Sequence, residues 1–196
     1  VDTCLRATLT DMPQDALPLA TLSLLHFSEW QRLRETPEGP RAFAEAQDFA
    51  QRAYDASPSS SSGIFAMARS RFYAGDCQRG MTLGRRALNL NPYDPDFSGF
   101  LGLFGAACGR NDEGEALLRR SIALDEDNTA VSAVTLAFMT SQRGNQDEAL
   151  ALLDRMASPS NMEPQYLMVR SIVLARNGRL DEEPPVSGQH DRADHQ

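Results

Sequence analysis

The chain has 196 residues, 41% of them hydrophobic, with a formal charge of -8 and a pI near 4.9. That is enough apolar material for a core, and the acidic balance without a basic cluster excludes a nucleic-acid surface, which needs grouped cations. All 19 basic residues are Arg, so a P-loop lysine, a pyridoxal-phosphate Schiff base and a lysine general base are excluded with the missing ε-amine.

Cys4, Cys77 and Cys108 form no CxxC pair. An odd count is a poor disulfide framework, so reduced thiols are expected, with a bridge between Cys77 and Cys108, brought within reach by stacking of successive units, as the alternative. The sequence opens on Val without a leader-like segment and holds no apolar run of about eighteen residues. A soluble cytoplasmic piece of a longer polypeptide is expected, or a periplasmic one if that polypeptide is exported or membrane-anchored.

In chain order, residues 1–12 read as a helix that starts inside a preceding unit. "ALPLATLSLLHFSEWQRL" and "RAFAEAQDFAQRAYDAS" then read as a helix pair, an irregular first unit over 13–58. The connection "RETPEGP" is long, and Pro37, Gly39 and Pro40 are expected to break helix. From there a period takes over: Gly75, Gly109, Gly144 and Gly178 stand 34, 35 and 34 residues apart. Each follows an apolar stretch and precedes a polar-then-apolar one, so the unit is helix, glycine turn, helix.

Glycine suits the left-handed residue that ends a helix, and Asp76, Asn111 and Asn145 are placed to cap the next one. The second helices carry apolar stripes at Ala116, Leu117, Leu118, Ile122 and Leu124, and at Ala149, Leu150, Leu152, Leu153 and Met156. Pro58 and Pro92 stop two of these helices, with Glu126 in the same place of the next copy. Regular units are expected over 61–94, 95–129 and 130–163, and a partial one over 164–183. The tail 184–196 lacks an apolar stripe and is expected to be disordered and dispensable.

Small residues at Ala68, Gly102 and Ala137 of the first helices, and at Gly80, Ala87, Gly114 and Ala149 of the second, fall in one register. In this the stretch 42–183 resembles the tetratricopeptide repeat (TPR). It departs from that pattern at Gly84, where the family has an aromatic, and at Ser121 and Met156, where it has Ala. The resemblance implies an all-α, right-handed α-solenoid. The stretched first unit is similar to the TPR regions that follow the adenylate cyclase or winged-helix domains of bacterial signalling and transcription regulators.

No catalytic, cofactor-binding or metal-binding residues emerge. His26 sits on the apolar face of "LSLLHFSEW" and reads as a packing histidine, whereas His190 and His195 lie in the tail at a spacing unsuited to zinc. The acidic runs "DEDN" and "NQDE" do not continue as calcium loops, and "SGFLGLFGAACG" lacks the G-x-G-x-x-G spacing of a nucleotide loop.

In the TPR family the first helices line a concave surface, which implies a groove here. It runs through Phe65, Arg69, Phe72 and Tyr73, then Gly99 and Leu103, Val134 and Phe138, and finally Met168, Ile172 and Arg176. The Lys- and Asn-based clamp that some members use on chaperone C-termini does not carry over, since Phe65 and Arg69 stand at its positions. The implied occupant is an apolar helix or extended peptide, with arginines meeting its acidic groups.

A non-enzymatic protein-interaction module of a larger bacterial regulator is expected, with an envelope or secretion adaptor as the alternative. An accessory domain of an enzyme, or an enzyme with an unrecognised site, is the alternative of another class. The expected partners are a protein or peptide and, through the C-terminal end, a second copy of the chain, with no nucleic acid and no membrane.

Overall fold

The computed structural model describes residues 1–125, 130–155 and 163–179. Among the described residues it is all-α: ten helices and no strand. They form two compact units, 1–97 and 98–196. The first contains α1 (Asp2–Asp11), α2 (Ala16–Leu33), α3 (Gly39–Ala56), α4 (Ser61–Tyr73), α5 (Cys77–Leu90) and the start of α6 (Pro95–Ala107). The second contains the rest of α6, then α7 (Asn111–Leu124), α8 (Ala130–Gln142), α9 (Gln146–Asp154) and α10 (Glu163–Arg176). No helix among the described residues is long and apolar enough to cross a membrane. Glu126, Met156, the tail 184–196 and its two histidines lie outside the described residues.

The turn glycines account for the 34-residue period. Gly75, Gly109, Gly144 and Gly178 all have positive φ, between 69° and 90°, a conformation that side chains resist. The amide after each glycine donates to the carbonyl five residues back: Asp76 to Arg71, Arg110 to Gly105, Asn145 to Thr140 and Arg179 to Leu174, at 2.8–3.2 Å. This is the Schellman closure of a helix C-terminus, repeated four times.

The capping expectation holds for Asp76, whose carboxylate accepts from the Arg79 amide at 3.1 Å. Asn111 and Asn145 depart from it. Asn111 is already the first residue of α7, and Asn145 occupies the cap position of α9 without a side-chain bond. Pro40 also departs: it lies in the first turn of α3, where no helical bond needs its missing N–H. Cys4 is an exposed free thiol, whereas Cys77 and Cys108 are each oxidised, which corrects the expectation that all three are reduced.

In the first unit the core joins Leu19 and Leu22 of α2 to Phe49, Ala50 and Ala53 of α3 and Ala66 of α4, with Leu5 and Leu9 of α1 packed against it. In the second, Val134 and Ala137 of α8 meet Ala149, Leu150 and Leu153 of α9 and Tyr166, Val169 and Val173 of α10. Only part of each second-helix stripe is interior, with Ala149 and Leu150 buried and Ala116 exposed. Leu118 and Leu153 are fully buried, while Leu117 and Leu152 are half-buried and Leu124 is exposed. A helical period cannot choose between adjacent leucines, and the facing backbone does. A Cβ on Gly102 would lie 2.9 Å from both Leu118 Cγ and the Gly114 carbonyl oxygen, so α6 and α7 approach closely at their small residues and leave Leu118 pointing inward.

Candidate functional site

The expected groove residues separate into those that fill helix packing and those that reach a surface. In the first unit Phe65 is buried and stacks on Phe97, ring centroids 4.3 Å apart. Arg69 is buried too, its guanidinium 5.9 Å from the centre of the Tyr73 ring. Phe72 covers Gly80, where a Cβ would meet its ring at 2.9 Å. Tyr73 is half-buried against Phe27 at 4.9 Å and Trp30 at 5.0 Å, and its hydroxyl accepts from Gln31 Nε2 at 3.1 Å. These four side chains take part in helix packing, Phe65 and Arg69 from buried positions and Phe72 and Tyr73 from half-buried ones.

In the second unit Gly99 and Val134 are also interior. Ser132 Oγ donates to Ser121 Oγ across α8 and α7 at 2.9 Å, and a Cβ at Gly99 would come within 2.5 Å of the first hydroxyl and 2.9 Å of the second. Gly99 is therefore glycine to admit a hydroxyl pair, not a ligand. It also explains the departure at Ser121, since Ala could not accept that bond.

Leu103 and Phe138, by contrast, meet across a cleft of about 530 Å³ between α6 and α8. Ala106 and Ala107 continue its α6 wall, and Thr135, Met139 and Gln142 its α8 wall. Phe138 is 37% exposed, a large aromatic surface to leave in water. The sequence reading missed these neighbours, although Ala106, Ala107, Thr135 and Gln142 each stand three or four residues from Leu103 or Phe138 and so share its helix face.

Arg143 stands at the mouth. It pairs with Glu115, and with Asp112 at 3.4 Å. Glu115 also accepts from Arg119, which reaches Glu148 at 2.8 Å. The cationic rim is thus already balanced by carboxylates of α7, and the cleft itself selects for apolar groups.

On α10, Met168 is exposed and Ile172 half-buried, and neither lines the cleft. Arg176 reaches its edge by donating to Gln142 Oε1 at 3.2 Å, and also bonds Ser141 Oγ at 3.4 Å.

His26 is a packing histidine with a polar rim. It is buried and stacked on Phe49 at 5.3 Å, with Nε2 3.1 Å from Arg6 and 3.3 Å from Asp2, and Nδ1 3.3 Å from Glu45 and 3.4 Å from Glu29. The Arg6 hydrogen bond holds the Asp2 carboxyl below its ordinary value, and the Arg41 bond does the same for Glu45. This cluster fastens α1 to α2 and α3.

No family model and no curated protein sequence matches the chain. Solved structures do. The chain is similar to TTC0263, a thermophilic TPR protein in Thermus thermophilus, with a TM-score of 0.66 and 19% identity, covering 90% of this chain and 88% of that one. It is similar to YrrB, described as a TPR protein with an unusual peptide-binding site, with a TM-score of 0.56, 16% identity, and 91% and 86% coverage. It also matches the APC/C hetero-tetramer Cut9-Hcn1 with a TM-score of 0.67 and 14% identity, over 91% of this chain and 33% of that one. With four equivalent glycine turns, three of which join two helices among the described residues, the chain has the tetratricopeptide-repeat fold, an all-α member of the α-solenoid class.

Proposed function

We propose that the chain is a non-enzymatic protein-interaction scaffold and that the cleft between α6 and α8 takes an apolar side chain from a peptide or helix of its partner. The observation that carries this reading is the exposed ring of Phe138 facing Leu103 across an open, apolar-walled cleft. Exposed aromatic area set in a concavity is the usual anchor of an interface. Support by likeness comes from YrrB, described as having a peptide-binding site, and from Cut9, solved in a complex with Hcn1. Arg176, at the cleft edge through Gln142, orients the acidic end of such a ligand. Within this reading the scaffold serves as the regulatory or assembly part of a larger bacterial protein.

Selection from a displayed peptide library tests the reading. The unmodified chain is expected to enrich sequences with a shared apolar anchor, and Phe138→Ser and Leu103→Ser each to lose those peptides with little change in melting temperature. Equal recovery by both well-folded variants refutes the cleft as the binding surface.

A further inference from the structure

A second cavity, of about 910 Å³, opens in the first unit where α3 and α5 flank α4. Its floor is apolar: Met67 is buried, and Leu83 and the ring of Tyr54 are half-buried. Its wall carries Arg71, in the last turn of α4 and itself half-buried.

The Arg71 side chain makes no hydrogen bond or ion pair with any described residue. That sets it apart from the arginines around it. Arg86 donates to the Tyr54 hydroxyl and to the Pro58 carbonyl, Arg52 is 3.4 Å from Asp48, and Arg79 is 3.6 Å from Asp76. Asp76 lines the same cleft, but its carboxylate is already engaged by the Arg79 amide at 3.1 Å and the Arg79 side chain. In a chain of net charge -8, carboxylates outnumber the cations. The Arg71 guanidinium, on a half-buried side chain and with none of its nitrogens fully buried, is open to a carboxylate brought by a ligand.

We propose that this cleft is a second binding site, taking an acidic peptide segment of a partner protein. A side-chain carboxylate of that segment pairs with Arg71, and an adjacent apolar side chain lies on Met67 and Leu83. The guanidinium fork matches a carboxylate in two parallel hydrogen bonds. At the rim Gln78 presents its amide to the ligand backbone, whereas the Gln51 amide nitrogen already donates to Asp55 at 2.9 Å. The site does not depend on the α6–α8 cleft.

The test uses the full chain, isotopically labelled, titrated with the blocked peptide Ac-Leu-Asp-Glu-Leu-amide and with its uncharged counterpart Ac-Leu-Asn-Gln-Leu-amide. The acidic peptide is expected to shift amide resonances of α3, α4 and α5 around Arg71, and the uncharged one to leave them in place. Arg71→Gln and Arg71→Met should each weaken the acidic peptide at least about fivefold, as loss of a partly desolvated charge-assisted pair does. Arg52→Gln, outside the cleft, should leave its affinity unchanged, as should Phe138→Ser, which tests the other site. Equal shifts by both peptides overturn the proposal, and so does unweakened binding by either folded Arg71 variant.

Discussion

Replacing Leu118 by Ala should destabilise the chain by about 3–4 kcal/mol, in the upper half of the range for buried Leu→Ala changes. Leu118 is fully buried, and its Cγ sits against Gly102, where an added Cβ would come within 2.9 Å of it. Gly102 has no side chain to swing into the vacated space, so the cavity persists on that side and adds to the lost transfer energy. Leu117 is half-buried on the adjacent phase of α7, and at roughly 25 cal/mol per Å² its truncation should cost about 1 kcal/mol. Urea unfolding followed by helical circular dichroism, with comparable slopes for both variants, measures the difference. A Leu117→Ala change as costly as Leu118→Ala refutes the inward assignment of Leu118.

Gly75→Ala should cost about 1–2 kcal/mol from backbone strain alone, because nothing lies within 4 Å of the added Cβ at a φ of +84°; unchanged unfolding in urea would show that the turn relaxes to another conformation. Acid should loosen α1: the folded-state pKa of Asp2 is depressed, first by its hydrogen bond with Arg6, so its contribution is present above the unfolded carboxylate range and lost as pH falls through the folded value. Protection of α1 amides from hydrogen exchange should fall over that acid range and fall less in Asp2→Asn, whereas pH-independent protection would dissociate this carboxylate from α1 docking.

What the sequence made legible follows from how locally each feature is determined. The turns were readable because a left-handed residue followed by a capping Asp depends on a few neighbours, as at Gly75 and Asp76. The stripes were readable only to within one residue, since Ala116, Leu117 and Leu118 all satisfy a helical period and Gly102, on another helix, decides between them. Phe65 and Arg69 occupy first-helix positions of the groove register, yet Phe97 and Tyr73 cover them, and no spacing along α4 encodes a cover supplied by other side chains. Ser121, Ser132 and Gly99 are a three-way agreement among separate helices. Arg71 reads in sequence as one more solvated cation at a helix end, and only the surrounding walls distinguish it.

The four Schellman turns also bear on how the chain finds its structure. Three of them join two helices through bonds that span five residues, so each helix pair closes on itself with little loop entropy and can start folding without waiting for distant partners. The pair α2 and α3 lacks such a turn: five residues separate the helices, closed by the bonds of Thr36 to Leu33 and Gly39 to Thr36. Its alignment is set instead by side chains brought together from far apart, Phe27 and Trp30 on Phe43 and on Tyr73 of α4. Contacts of that separation form late. The N-terminal helices are therefore the part of the first unit whose order is borrowed from the regular repeat beside them, and a nascent chain emerging in sequence order holds them unfinished until α4 has been made.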